Sequence, residues 1–244
     1  MNQKFLISHT TDLPFDTRIQ GQDARHICKV LRLKPDDEIS LSDGNGIDYT
    51  GRILSVSPSD TVVRVEQAAR SGTESRLNMT LGCAMLKDKK MDLVIKHATQ
   101  LGISKWIPFY STRSIPQPSK KRMTARHQRW ETIARESLKQ CRRSRVVDIA
   151  MPVSFQALID AASSHDIRIT FWENESRPLK QLKRDPQVSS AIILIGPEGG
   201  FTPEEIETVQ AAGFVSYSLG PRILRAETAA ISACTLIQHI LGDI

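Results

Sequence analysis

The apolar run Ala-Ile-Ile-Leu-Ile at 191–195 limits the possible folds of this chain more than any other stretch. Its apolar residues do not alternate with polar ones, so a strand built from it should be buried on both faces. Such strands belong to parallel sheets covered by helices, and strand-like and helix-like segments do alternate from residue 77 onward. The predicted strands are 79–86, 106–110, 167–173, 191–195 and 215–219, and the predicted helices are 89–101, 124–142, 154–162, 202–213 and 227–241. The fold class is therefore α/β with a mostly parallel sheet.

The first 70 residues have a different pattern. The segments 38–42, 47–56 and 61–67 are rich in Ile, Val, Leu and Thr, which favours strands. Asp-Gly-Asn-Gly at 43–46 separates the first two and predicts a hairpin, because Asn and Gly tolerate positive φ. Residues 22–33 predict a short helix with Ile27, Val30 and Leu31 on one face. We therefore predict a small β-barrel domain at 1–70, a linker at 71–76 and the α/β domain at 77–244.

The charge balance permits a polyanionic partner such as RNA. The 244 residues include 33 Lys and Arg against 27 Asp and Glu, which gives a formal net charge of +6. Ten of the basic residues lie between Lys120 and Arg145. This cluster is compatible with a phosphate-binding surface, and equally with a solvated helix face.

Several other classes of protein are not favoured. No apolar stretch approaches the ~20 residues of a membrane span, and the N-terminus lacks the long apolar core of a signal peptide. The four cysteines are far apart in the sequence and the histidines show no metal-ligand spacing. We therefore expect a cytoplasmic protein with reduced thiols, without a membrane segment and without a bound metal.

Gly-Pro-Glu-Gly-Gly-Phe at 196–201 follows the buried strand directly. In open α/β sheets ligands bind beyond the carboxyl ends of the strands, and glycines let the backbone approach a ligand closely. Thr202, Pro203 and Glu205 then predict a helix start with a capping box. The loop matches neither G-x-G-x-x-G nor G-x-x-x-x-G-K-[ST], so neither nucleotide fingerprint applies. Taken alone it is equally compatible with a plain tight turn.

A second loop of the same kind makes a pocket the better interpretation. Ser-Leu-Gly-Pro-Arg-Ile-Leu-Arg-Ala-Glu-Thr at 218–228 again leaves a short strand, again contains Gly-Pro, and again precedes a helix. The two loops could form two walls of one pocket. Ile223 and Leu224 could pack on a flat ring, while Arg225 and Glu227 would project polar groups at its rim.

The two loops together, IGPEGGFTPEEI and SLGPRILRAETA, closely resemble the paired C-terminal motifs of bacterial 16S ribosomal RNA uridine-N3 methyltransferases. These are SPOUT-class enzymes with a trefoil-knotted sheet and an N-terminal PUA-like domain. The resemblance covers most of the chain. HICKVLRLKPDDEISLSDGNG is similar to the family's PUA-like barrel, and KDKKMDLVIKHATQLGISKWIPFYSTRS is similar to its first catalytic-domain unit.

The resemblance implies S-adenosylmethionine as the cofactor, a homodimer, and a uridine in the decoding region of small-subunit ribosomal RNA as the target. Carried over position by position, the cofactor contacts would come from Ile195, Gly196, Gly200, Leu219, Gly220, Ile223, Leu224 and Arg225. Because removal of the uracil N3 proton leaves an anion, an arginine or a carboxylate suits the catalytic step. The candidates are Arg225, Glu198 and Arg113, with Arg143 and Glu227 as further possibilities.

The segment on the expected RNA side departs from the family pattern. The family usually has Glu at Gln100, Glu-Gln-Ser/Cys-Gly-Arg at 139–143 and Pro at Val147. The predicted RNA contacts are Arg142, Arg143, Arg32 and His26. Two alternatives stay open at this stage. One is another SPOUT methyltransferase acting on transfer RNA or a ribose 2′-hydroxyl, and the other is a non-catalytic RNA-binding ribosome assembly factor.

Overall fold

The computed structural model of this protein describes residues 3–7, 12–87, 89–115 and 118–244. The chain divides into two compact units. The first contains Met1–Glu74 and Leu138–Val146, and the second contains Ser75–Ser137 and Val147–Ile244. The contacts therefore group 138–146 with the N-terminal residues, although the sequence-based division at 1–70, 71–76 and 77–244 did not set this segment apart.

The first unit is a curled half-barrel of five strands in the order β1-β3-β4-β5-β2. β1 pairs with β3 in parallel and the remaining pairs are antiparallel. Its core is apolar and includes Phe5, Leu41, Ile53 and Val63, all fully buried or nearly so. The elements are β1 Lys4–Leu6, β2 Phe15–Gln20, α1 Gly21–Arg25, a π-helical turn His26–Leu31, β3 Glu38–Ser42, β4 Ile47–Val56 and β5 Asp60–Arg70.

The hairpin predicted at 43–46 is confirmed. Gly44 and Gly46 have φ of 77° and 101°, a backbone region that favours glycine. The Asp43 carboxylate closes the turn by accepting from the Asn45 and Ile47 backbone N–H groups at 2.8 and 3.1 Å. β3 and β4 are therefore held in register by the turn itself.

The helix predicted at 22–33 is only partly correct. α1 ends at Arg25 and continues as the π-helical turn His26–Leu31. A π-helix winds more loosely than an α-helix, so residues three apart no longer share one face, while Leu31, four residues after Ile27, still packs against the same core. Ile27 is buried as predicted, whereas Val30 is 64% exposed and does not join the core.

The second unit is built on a parallel sheet in the order β12-β10-β11-β6-β7-β8, with β9 also paired to β7. All of these pairs are parallel. The strands are β6 Asn78–Ala84, β7 Ile103–Tyr110, β8 Asp148–Ile149, β9 Val153–Ser154, β10 Ile167–Phe171, β11 Ser190–Ile195 and β12 Val215–Tyr217. The helices are α2 Lys90–Gln100, α3 Lys120–Cys141, α4 Phe155–Ala162, α5 Pro203–Ala211 and α6 Ala226–Leu241.

The central strand β11 is buried on both faces, as its composition predicts. Ala191, Ile193 and Ile195 point into the larger apolar core, together with residues of α2, α3 and α6. Ile192 and Leu194 point into a second core with residues of α4 and α5. Two helical layers therefore cover the sheet, and the loop that follows β11 starts from a strand buried on both faces. No helix in the described residues is long and apolar enough to cross a membrane.

Candidate functional site

A cavity lies at the carboxyl ends of the neighbouring strands β12, β10 and β11. Three segments leave these ends. We call residues 196–201 after β11 the first loop, residues 218–225 after β12 the second loop, and 172–173 the β10 segment. Because β10 lies between the other two strands, its segment lies between the two loops. The parallel topology thus brings together segments that are far apart in sequence.

The cavity has a volume of about 570 Å³, within the range of about 300–1,000 Å³ typical of small-molecule sites. Its lining mixes backbone and apolar surface with a few charged side chains, as such sites usually do. All eight residues predicted to contact a cofactor line it. The remaining lining residues are Lys90, Phe171, Trp172, Glu173, Pro197, Glu198, Gly199, Phe201, Ser218, Pro221, Arg222, Ala226 and Ala229.

Glycines shape both loops for physical reasons that differ. Gly220 has φ of 110°. No heavy atom lies within 4 Å of the position that a Cβ would occupy there, so the space beside Gly220 is open. Gly200 has φ of 68°, and a Cβ there would lie 2.0 Å from Oε1 of Glu173. A Cβ on Gly196 would lie 3.1 Å from Cδ2 of Phe201. The open space at Gly220 suits a ligand, whereas the other two glycines permit close packing within the wall.

The predicted start of α5 is confirmed. Thr202 accepts from the Glu205 N–H at 3.2 Å, and Glu205 accepts from the Thr202 N–H at 2.9 Å, which completes the capping box. Glu205 is buried and also accepts from the Thr112 N–H at 2.8 Å. The helix start is therefore tied to the end of β7, and this fixes the exit of the first loop.

Arg113 does not line the cavity. Its Nη1 donates to the Gly199 carbonyl at 2.7 Å, and its side chain packs against the Cα side of Gly199. Its guanidinium therefore supports the first loop from outside. This arrangement favours a loop-bracing role over the catalytic role suggested by the sequence.

Glu198 is held by two donors. The Lys87 backbone N–H and Lys90 Nζ each donate to Glu198 Oε1 at 3.0 Å. Burial alone would raise the pKa of the Glu198 carboxyl, but these bonds outweigh it and lower the pKa. The hydrogen bond to Glu198 correspondingly raises the pKa of Lys90. Glu198 is therefore a stable anion and a weak proton acceptor.

Arg225 is exposed at the cavity and directly precedes α6. Among the described residues, no hydrogen bond or ion pair to another side chain holds its guanidinium in place. Glu227, two residues further on, lies near Lys90 instead. Arg225 is thus available to a ligand. Ile223, in the same loop, is 85% exposed and could be covered only by a ligand or a partner.

The four predicted RNA contacts all belong to the first unit. Arg32 and Arg142 are exposed, with positive φ of 54° and 62°. His26 is half-buried, and its ring centroid lies 6.3 Å from that of Phe5. Arg143 is buried and forms an ion pair with Glu74 at 2.8 Å. Its burial argues against the predicted phosphate contact, while exposed Arg32 and Arg142 remain suited to one.

The lining residues that sequence reasoning missed include Trp172, Glu173 and Lys90. Trp172 and Glu173 line the cavity because β10 lies between β12 and β11, an order that the sequence does not reveal. Lys90 reaches the cavity from the start of α2, after β6. A search for charged residues at the carboxyl ends of predicted strands could have found Glu173, the last residue of the strand predicted at 167–173, whereas nothing in its neighbourhood marks Lys90.

Comparison with known families decides the class of this site. Residues 73–238 match the family described as RNA methyltransferase domain, and residues 19–66 match the RNA methyltransferase PUA domain. This chain belongs to the RNA methyltransferase family. Both loops and all of the cavity-lining residues of this RNA methyltransferase fall inside the first match.

Individual relatives agree with the family match. The chain is 29% identical over 227 residues to Ribosomal RNA small subunit methyltransferase E of Bacillus subtilis, covering 91% of this chain and 89% of that protein. It is 31% identical over 224 residues to the protein of the same name in Rickettsia conorii, covering 89% and 86%. The structure of the Neisseria gonorrhoeae protein of that name, bound to S-adenosyl methionine, superposes with a TM-score of 0.90 at 26% identity, covering both chains completely.

These matches confirm the fold class that the sequence resemblance implies, a SPOUT-type α/β methyltransferase domain with an N-terminal PUA-like domain. They also confirm the resemblance itself. Within residues 3–7, 12–87, 89–115 and 118–244, no group of three or more His, Cys, Asp or Glu side chains is placed to hold a metal ion.

Proposed function

We propose that this RNA methyltransferase transfers a methyl group from S-adenosylmethionine to N3 of a uridine in the decoding region of small-subunit (16S) ribosomal RNA. The cavity between the two loops carries this proposal, because all eight residues that the family resemblance assigns to the cofactor line it. The similarity to small-subunit methyltransferases over about nine-tenths of the chain supports the choice of RNA.

The cavity fits the proposed cofactor. Its volume suits a ligand of that size, its wall is mostly backbone and apolar surface, and the space beside Gly220 is open. The residues that would hold the cofactor are those of the first and second loops, mainly through backbone groups. When bound, S-adenosylmethionine supplies an electrophilic methyl group on a sulfonium that leaves readily, so no metal is required.

The remaining chemistry falls to this chain's own residues. The uracil N3–H would give its proton to solvent water, and negative charge would develop on the uracil ring. As the N3–methyl bond formed, the sulfur–methyl bond would break and S-adenosylhomocysteine would leave as a neutral thioether. The Arg225 guanidinium offers a planar set of donors for the uracil edge. Its role is to orient the base and to stabilise that charge. Glu198, already bound by Lys87 and Lys90, serves to hold the first loop rather than to accept the proton.

Binding of the RNA would involve the first unit. It contains the match to the RNA methyltransferase PUA domain, and Arg32 and Arg142 are exposed on it. Lys and Arg side chains that contact phosphates release counterions, so binding should weaken as salt rises. Ribosomal RNA as the substrate supports the cytoplasm as the proposed location of the protein.

The test of the proposed function is mass spectrometry of RNA from a strain that lacks the gene, with methylation by the purified protein in vitro. The expected result is loss of one N3-methyluridine from small-subunit ribosomal RNA, restored by the wild-type protein and S-adenosylmethionine. If the missing methyl group belonged instead to transfer RNA or to a ribose 2′-hydroxyl, that group would be the acceptor and the proposed uridine N3 would not. Unchanged RNA methylation would favour a non-catalytic assembly factor.

Replacing Gly220 by valine should weaken S-adenosylmethionine binding about tenfold or more while the fold is retained. At φ of 110° a side chain other than glycine's is strained, at a cost of about 1–3 kcal/mol. The new side chain would also enter the open space beside the loop. Calorimetry measures the affinity, and a melting curve checks the fold. Gly72→Ala in the first unit is the control, since no heavy atom lies within 4 Å of its built Cβ. Equal affinity of Gly220→Val and wild type would contradict the cofactor site.

The proposed enzyme works as a homodimer. α6 packs one stripe on its own sheet, including Ala230, Ala233 and Ile237, yet Leu236 stays exposed and Ile240, four residues further on the same side, is half-exposed. A partner chain would cover this second apolar face. Light scattering should give a mass of twice 27.3 kDa at micromolar concentration, and Leu236→Asp should shift it toward the monomer. A monomeric wild-type protein would refute the dimer.

A further inference from the structure

Lys90 is the first residue of α2 and contacts carboxylates that belong to or follow the two loops of the cavity. Its Nζ is 3.0 Å from Glu198 Oε1 in the first loop. The same Nζ is 3.7 Å from Glu227 Oε2 in the first turn of α6, directly after the second loop. A single ammonium group therefore contacts a carboxylate beside each loop.

The contact with the first loop is reinforced by the backbone. The Lys87 N–H donates to the same Glu198 oxygen at 3.0 Å. Glu198 is thus fixed to the segment between β6 and α2 by one main-chain and one side-chain donor. The raised pKa of Lys90, caused first by its hydrogen bond to Glu198, and the lowered pKa of Glu198 agree that both groups are charged.

The contact of Lys90 with Glu227 compensates a buried negative charge. Glu227 is only 9% exposed, and its Oε2 has no hydrogen-bond partner in the described structure. A buried carboxylate without an opposite charge is strongly unfavourable. Lys90 supplies that charge from 3.7 Å, so the position of Glu227, and with it the end of the second loop, depends on Lys90.

We propose that Lys90 is a positioning residue that holds the two loops of the cofactor cavity at their working separation, by pairing with Glu198 of one loop and Glu227 beside the other. The identity of the ligand rests on the proposed function, whereas the link between the loops rests on the distances alone. Lys90 acts through the two glutamates. It stabilises the cavity in its binding-competent form before the ligand arrives, and such preorganisation increases affinity.

Lys90→Met tests this proposal, because methionine keeps the aliphatic length and removes the charge. We expect the Kd and KM for S-adenosylmethionine to rise about tenfold or more. The kcat at saturating S-adenosylmethionine should stay within about threefold, and the KM for RNA should not change, since the loss concerns binding rather than the transition state. Lys90→Arg keeps the charge and should recover most of the affinity. Lys96→Met, at an exposed position of α2, is the matched control and should bind as wild type.

A purely structural role would lower the melting temperature without this selective change in KM. If Lys90→Met does not fold, Lys90→Met/Glu227→Gln removes the unpaired buried charge and should still bind weakly. Lys90→Met combined with Glu198→Gln should cost less than the sum of the single changes, because both break one contact. Wild-type affinity in a folded Lys90→Met protein would overturn the positioning role and leave the proposed function intact. If the wild-type protein itself bound no S-adenosylmethionine, the proposed function would fail as well.

Discussion

Replacing Arg225 by alanine should slow methyl transfer by about a hundredfold or more, the usual effect of removing a preorganised donor that stabilises developing charge. Arg225 lines the cavity as the last residue of the second loop, directly before α6. The competing interpretation, in which Arg225 only ties its loop to Glu227, is weakened because Glu227 lies near Lys90. The guanidinium therefore remains available for the uracil edge.

Single-turnover methylation at saturating S-adenosylmethionine, measured beside a melting curve, checks this expectation. Arg225→Ala should lose rate far more than cofactor affinity or stability. Arg225→Lys should recover only part of the rate, because one ammonium cannot reproduce a planar set of donors. Arg184→Ala, at an exposed position of the same unit, is the control. A near-normal single-turnover rate for Arg225→Ala would show that Arg225 is not a catalytic residue.

The features that sequence predicted correctly depend on local chemistry. The run at 191–195 is apolar at every position, so burial on both faces follows without knowledge of its neighbours. The hairpin at 43–46 depends on the positive φ of Gly44 and Gly46 and on the carboxylate of Asp43, all within the turn itself. The capping box of Thr202 and Glu205 likewise involves residues three apart. The eight positions that the family resemblance assigns to the cofactor line one cavity, and their contact with a cofactor stays a prediction.

The features that sequence missed depend on contacts between distant segments. Glu173 reaches the cavity because of strand order, and Lys90 because α2 starts beside the first loop. The interpretation of Arg113 changed when its partner proved to be the Gly199 carbonyl, 86 residues away in sequence. The exposed position of Val30 follows from a π-helical turn that apolar spacing does not distinguish from an α-helix.

Arg143 is the clearest case of a charge whose partner the sequence could not reveal. It follows the basic helix α3 and was predicted to contact phosphates. Its side chain is instead 4% exposed, and its Nε and Nη2 donate to Glu74 Oε2 at 3.2 and 2.8 Å. The other oxygen of Glu74 accepts from the N–H groups of Ser144 and Arg145 at 2.6 and 3.0 Å. This carboxylate therefore joins the end of the N-terminal segment to 138–146 within the first unit.

Replacing Arg143 by methionine should lower the free energy of unfolding by about 3–5 kcal/mol, because the Glu74 charge would stay buried without its partner. Chemical denaturation of the full chain measures the change. Arg143→Met/Glu74→Gln should recover much of the loss, since the unpaired charge is then gone. Arg142→Met is the matched neighbour. Because the Arg142 side chain is exposed, this substitution should change the free energy of unfolding by no more than about 0.5 kcal/mol. If Arg142 contacts a phosphate, the substitution should also reduce the slope of log K for RNA binding against log salt by about 0.7. If Arg143→Met instead left stability unchanged and reduced the salt slope, Arg143 would be a phosphate contact, as the sequence predicts.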